Sequence, residues 1–148
     1  MKDLNRLAIV SVDRLKDYSE PFARDLIQLW YDRKLQGQVI IYEKSDSILG
    51  FMLVEVKESE IVNRGLYVRE NFRGYGIGQA MIAYLHKSYC GSHMIWTNIN
   101  KGSEGIYHKF NYKILGERRE YNQYVAYYPD SKITKSKIQQ LKNKVDGK

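Results

Sequence analysis

Arg73-Gly74-Tyr75-Gly76-Ile77-Gly78 follows the apolar run Gly65-Leu66-Tyr67-Val68 and leads into a helix-patterned run, Gln79 to Tyr89. A strand, a glycine-rich turn and a helix in that order aim free backbone N–H groups at phosphate. A helix start leaves about four N–H groups without intrahelical partners and carries roughly half a positive charge from its dipole. Glycine lets the main chain approach a phosphate with no Cβ in the way. The segment therefore predicts a phosphorylated ligand. A Walker-type loop is excluded, because Gln79 and Ala80 stand where Lys and Ser/Thr are needed. A dinucleotide fingerprint is disfavoured, because the glycines are spaced G-x-G-x-G and no Asp or Glu occurs from Asn71 through Ser103 to hold a ribose.

A third pattern, R/Q-x-x-G-x-G/A, is met by Arg73, Gly76 and Gly78. A second segment accompanies it: Asn100-Lys-Gly-Ser103-Glu-Gly-Ile-Tyr107-His-Lys-Phe-Asn-Tyr112 follows N-x-x-A-x-x-L-Y-x-K-x-G-F. On these two motifs, which span residues 60 to 115, the chain resembles the GNAT superfamily of acyl-CoA-dependent N-acyltransferases. Two positions depart from the pattern. Ser103 replaces a small Ala, and Asn111 replaces the Gly that ends the helix with a left-handed backbone, a conformation Asn tolerates next best.

The resemblance implies an α+β (mixed α/β) fold with a central mixed, mostly antiparallel sheet flanked by helices. It implies acetyl-CoA as donor co-substrate, with Arg73, Gly74, Tyr75, Gly76, Ile77, Gly78 and Gln79 holding the pyrophosphate, mainly through main-chain N–H groups. It also implies that the strand ending at Val68 splays from its neighbour, so that Leu66, Tyr67 and Val68 bind the pantetheine arm and polarise the acyl carbonyl. Asn100, Ser103 and Tyr107 complete the expected donor contacts.

Acyl transfer from a thioester to an amine requires a held donor, a polarised carbonyl, a neutral amine and a protonated leaving thiolate. By its place in the family motif, Tyr107 is the candidate general acid, its hydroxyl having a reference pKa near ~10; the other reading is a packing residue of the short helix. Asn100 either bonds CoA or caps the helix before Ser103. Glu60, at the start of the strand, is the candidate general base, with Glu55 second, and both also read as exposed strand charges. A base matters because only about one lysine-like amine in a thousand is neutral at pH 7. Glu55, Glu58 and Glu60 together would suit a cationic acceptor.

The chain has 148 residues, 43% of them apolar, enough for one core. The expected organisation is a transferase domain over 1–130 and a lysine-rich tail or short helix over 131–148. That tail carries a net +5 of the chain's +7. Its sparse stripe Ile133, Ile138, Leu141, Val145 reads as a docked helix or a solvated end. A basic arm for nucleic acid is the minority reading, for want of aromatic interleaving. Met1 to Leu7 is charged and lacks an apolar stretch, so no signal peptide is expected. No run reaches the ~18 apolar residues of a membrane span. One cysteine, Cys90, fits a reducing cytosol and reads as a structural thiol. His86, His93 and His108 are scattered singly, so no metal is expected. The acceptor is an amine on a small molecule, peptide or protein, and the chain is expected as a monomer or homodimer. The competing function is a catalytically silent CoA-binding module or adaptor that uses the basic tail.

Element by element, Leu7 to Val12 reads as a strand. Pro21 opens a helix whose Phe22, Leu26, Leu29 and Trp30 recur at helical spacing. Gln38 to Glu43 and Ile48 to Lys57 flank a hairpin turn, Lys44-Ser-Asp-Ser. Glu60 to Val68 is a strand. The helix after the glycines is expected to bury Ile77, Ala80, Met81, Tyr84 and Leu85. His93 to Thr97 is a strand, Ser103 to Phe110 a short helix, and Tyr112 to Gly116 with Tyr121 to Tyr128 a final strand pair. Tyr121, Tyr124, Tyr127 and Tyr128 read as packing rather than ligand contacts.

Overall fold

The computed structural model describes residues 6–16, 18 and 20–145. The readings made on Met1 to Asn5 and on Asp146 to Lys148 lie outside the described residues. The elements are β1 (Leu7–Val10), α1 (Pro21–Asp32), β2 (Gly37–Lys44), β3 (Ser47–Val56), β4 (Glu60–Val68), α2 (Ile77–Tyr89), β5 (Met94–Asn100), α3 (Glu104–His108), β6 (Lys113–Arg118), β7 (Gln123–Tyr127) and α4 (Lys135–Val145). The seven strands run in the order β1-β2-β3-β4-β5-β7-β6. Pairing is antiparallel for β1–β2, β2–β3, β5–β7 and β6–β7, and parallel for β4–β5. This is the mixed, mostly antiparallel sheet expected.

The chain divides into two compact units, Met1–Lys57 with Arg64–Leu85, and Glu58–Asn63 with His86–Lys148. In the first, β2 and β3 form a hairpin closed by Ser45 and Asp46, both left-handed at φ 51° and 66°. Two positive φ values make the turn that matches strand twist. Pro21 occupies the first turn of α1. The helix packs Ala23, Ile27 and Trp30 into a cluster with Val39, Ile41, Phe51, Leu53 and Tyr67. Of the stripe read from sequence, Trp30 is buried and Leu26 packs against this cluster, whereas Phe22 and Leu29 are 59% and 50% exposed. Of the face expected on α2, Ile77, Met81 and Leu85 are buried together with Ile82, whereas Ala80 and Tyr84 are only half-buried.

In the second unit, Val62, Met94, Trp96, Val125 and Leu141 make an apolar cluster, lined further by Leu115, Tyr127, Ile133 and Val145. The tail forms a helix. Thr134 opens it, its hydroxyl accepting from the Lys137 N–H and its carbonyl from that of Ile138. A Cβ on Gly116 would sit 2.5 Å from Val145 Cγ1, so α4 approaches β6 as closely as a glycine allows. Asn111 is left-handed at φ 62°, and the Tyr112 N–H returns to the Tyr107 carbonyl at 3.2 Å, closing the end of α3 as the Gly-to-Asn departure requires.

Leu141 is 2% exposed. Truncating such a buried Leu typically costs about 2–5 kcal/mol. Leu141→Ala should lower stability by that amount in urea unfolding at pH 7, where a frayed helix would lose less than about 0.5 kcal/mol.

Candidate active site

The glycine loop lies in the first unit. Gly74 and Gly76 have φ of 86° and 84°, and a Cβ placed on either would meet nothing within 4 Å. The loop backbone is thus open to approach from outside. The Ala80 N–H donates to the Gly76 carbonyl at 2.9 Å, which makes Gly76 the residue before the first turn. The N–H groups of Ile77, Gly78 and Gln79 therefore belong to the turn that has no intrahelical acceptors. Ile77 is buried and anchors the helix start, with Gly78 and Gln79 half-buried behind it. These features fit a phosphate group.

The Arg73 side chain is engaged within the chain itself. Its Nε donates to the Val68 carbonyl at 2.7 Å, and its guanidinium lies 5.5 Å from the Tyr67 ring centroid. It braces the loop against the strand that precedes it. The Val68 carbonyl is correspondingly engaged. Tyr67 turns its ring into the core against Phe51 and Tyr18, so only its backbone can face a ligand. Leu66 and Val68 are half-buried.

The second unit carries Tyr107. The β4–β5 ladder pairs Glu60 with Met94 through Asn63 with Thr97. At that last register Asn63 Nδ2 donates to the Tyr107 hydroxyl at 2.9 Å. Thr97 Oγ1 donates to the Asn63 carbonyl at 2.9 Å. Tyr107 is 7% exposed, and burial pushes its hydroxyl up to about 12, opposed by its hydrogen bonds with Asn63 and Thr97. Asn63 and Thr97 were missed from sequence; an Asn directly after the apolar pair Ile61-Val62 was the available signal. Next along β5, Asn98 Oδ1 is a buried side-chain oxygen without a hydrogen-bond partner among the described residues.

Asn100 is exposed, and its side-chain oxygen accepts from Gln123 Nε2 at 2.9 Å. Its backbone carbonyl, not its side chain, takes the Ser103 N–H. The entry to α3 is served by Glu104, whose carboxylate accepts the Gly102 N–H at 2.7 Å; Ser103 makes no side-chain cap.

Glu60 is occupied on both oxygens. Trp96 Nε1 donates to Oε1 at 2.9 Å, and Lys137 Nζ of α4 lies 3.7 Å from Oε2. Glu55, in the first unit, is held by Arg64 through Nε at 2.8 Å and Nη2 at 2.7 Å, with both side chains largely buried. Two of the three acids expected to favour a cationic acceptor are thus neutralised by basic side chains, and Glu58 alone is exposed.

The family profile described as an acetyltransferase (GNAT) domain matches residues 35–114, more than half of the chain. The chain belongs to the GNAT acetyltransferase family. No curated protein matches it in sequence. Among solved structures, the PaiA N-acetyltransferase of Thermoplasma acidophilum in complex with coenzyme A is similar at a TM-score of 0.60 and 13% identity, over 82% of this chain and 97% of that one. The Bacillus subtilis N-acetyltransferase YlbP in complex with coenzyme A gives 0.56 and 14%, over 86% and 99%. The ribosomal-protein-S18-alanine N-acetyltransferase of Escherichia coli gives 0.59 and 13%, over 87% and 97%. At such identities the likeness is one of fold.

Near Tyr107, in the same unit, His86 is buried with Nε2 2.7 Å from the Tyr112 hydroxyl, and it stacks on Tyr128 with ring centroids 3.6 Å apart. Burial lowers its pKa from 6.5 to about 4. The unfolded chain therefore binds a proton that the folded chain refuses between these values. Stability is full above pH 6.5 and falls as pH drops toward 4, by on the order of 3 kcal/mol. Urea unfolding at pH 7 and pH 4 should show this loss, and His86→Gln should remove most of the difference.

Proposed function

We propose that this GNAT acetyltransferase moves an acetyl group from acetyl-CoA to a primary amine by direct transfer. The neutral amine attacks the thioester carbonyl, the C–S bond of the tetrahedral intermediate breaks, and Tyr107 supplies the proton to the departing CoA sulfur; the attacking nitrogen gives up a proton to solvent, and solvent re-protonates Tyr107. The observation that carries the reading is the Tyr107 hydroxyl held by Asn63 at the last register of the β4–β5 ladder. Asn63 fills an acceptor site on the phenolic oxygen, so the hydroxyl's own proton, in a hydrogen bond with Thr97 at rest, is the one Tyr107 has to give.

A hydroxyl at about 12 keeps its proton throughout the physiological range. A thiol has a reference pKa near ~8.5, so full transfer from the resting tyrosine is uphill. Tyr107 accordingly acts first as a hydrogen-bond donor to sulfur, and the proton moves as charge builds there. Arg73 to Gln79 takes the pyrophosphate through the loop amides, and Leu66 to Val68 offers backbone to the pantetheine arm. Asn100 and Ser103 are the remaining donor contacts. The relatives crystallised with coenzyme A support acetyl-CoA as the donor.

Glu60 is reassigned. Its carboxylate ties β4 to Trp96 and α4, so we give it a structural role and let the amine react as its small neutral fraction. The acceptor is a primary amine on a small molecule or peptide. The single cysteine supports a reducing, cytoplasmic setting.

Two experiments test this. Thiol release from acetyl-CoA should appear with at least one member of a primary-amine panel, and Tyr107→Phe should lower kcat about a hundredfold while CoA affinity stays within about threefold. Tight CoA binding without turnover across the panel would favour the silent binding module. Separately, kcat/KM should climb about tenfold per pH unit from 7 to 9, because no internal base removes the amine proton. Glu60→Gln should keep turnover within about threefold while lowering stability by about 1–2 kcal/mol. A hundredfold loss of turnover with unchanged stability would restore Glu60 as the base.

A further inference from the structure

Tyr75 is the one side chain of the glycine loop that the backbone reading leaves without a task. At 78% exposure it is the most exposed large apolar residue among those described. The other exposed aromatics each have a partner. Phe22 packs on Tyr67, the Tyr31 hydroxyl donates to Asp13, and Tyr121 lies under Arg118. Among the described residues nothing stacks on the Tyr75 ring and nothing bonds its hydroxyl.

Its position is built rather than incidental. The flanking glycines, at φ 86° and 84°, form a turn that carries Tyr75 at its tip, directly before the residue that opens α2. Backbone amides at a helix start read negative charge and are blind to whatever the phosphate is attached to. The cation of the loop cannot read it either, since Arg73 is turned back onto Val68 and Tyr67. An acyl-CoA donor presents, next to its diphosphate, a flat purine. Aromatic side chains bind such faces well, and a tyrosine has few rotatable bonds to freeze in doing so.

We propose that the Tyr75 ring stacks on the adenine of the acyl-CoA donor, giving the loop a base-recognising element beside its phosphate grip. The inference rests on the reading of Arg73–Gly78 as the pyrophosphate site. It concerns donor affinity and takes no part in the chemical step.

Binding is measured by titration calorimetry on the full chain with three probes. CoA carries base, diphosphate and pantetheine; ADP lacks the pantetheine; phosphopantetheine lacks the base. Tyr75→Ala should weaken CoA and ADP about tenfold each and leave phosphopantetheine unchanged, while Tyr75→Phe should bind all three like the wild type. Equal weakening of CoA and phosphopantetheine by Tyr75→Ala would mean that the residue shapes the loop, and would overturn the proposal. So would a Tyr75→Phe variant as weak as Tyr75→Ala, since the hydroxyl would then be the contact; dephospho-CoA would show whether it meets the ribose phosphate. Wild-type protein that binds CoA tightly with no loss in Tyr75→Ala sinks the stacking alone. Wild-type protein that binds none of the probes sinks the pyrophosphate reading and the stacking with it.

Discussion

The hydrogen bond from Asn63 to the Tyr107 hydroxyl joins residues 44 apart in sequence and fixes the second unit around one buried point. It needs β4 and β5 paired in parallel up to Asn63 and Thr97, because that register sets where the amide of Asn63 lies. It needs α3 ended sharply, because Tyr107 belongs to a helix of five residues whose exit is made by the left-handed Asn111. Burial of the phenol raises the energy of its ionised form, and the amide N–H moderates that penalty. An apolar residue at position 63 would leave Thr97 as the remaining hydrogen-bond partner of that buried hydroxyl, at a cost of about 1 kcal/mol.

What could be read from sequence divides along a physical line. Short-range chemistry was legible. The glycines of the loop adopt the positive φ that a backbone phosphate cradle calls for, the hairpin closes at Ser45 and Asp46, and β4 runs from Glu60 to Val68 as the pattern indicated. The error on α1 has a plain cause. The reading Phe22, Leu26, Leu29 and Trp30 was right for Trp30 and in part for Leu26, but Ala23 and Ile27 form an adjacent stripe, and periodicity cannot say which of two neighbouring stripes is buried. Ala23, too small to stand out in the pattern, lies fully buried beside Trp30.

Long-range pairing was not legible. Glu60 looked like a free strand carboxylate until Trp96, 36 residues on, and Lys137 of α4 were found to hold it. The tail was read as a docked helix or a solvated end, and what sequence did not show is that two of its lysines turn inward, Lys137 onto Glu60 and Lys144 over the Trp96 ring. Two of that segment's six lysines are therefore engaged within the fold, and its net +5 overstates what it offers a partner. His86 likewise gave no hint that it would be a neutral ring stacked on Tyr128, since nothing near it in the chain announces Tyr112 or Tyr128.

Gly116 and Val145 touch so closely that not even one methyl group fits on the strand. The two positions are twenty-nine residues apart, but sterically they are one site. A lineage of this fold that acquires a side chain at 116 must trim position 145 or let the last helix slide along β6. Through Lys137, any such slide would reach the first residue of β4. The C-terminal helix is therefore constrained in how it can drift, and the strand that carries Asn63 inherits that constraint.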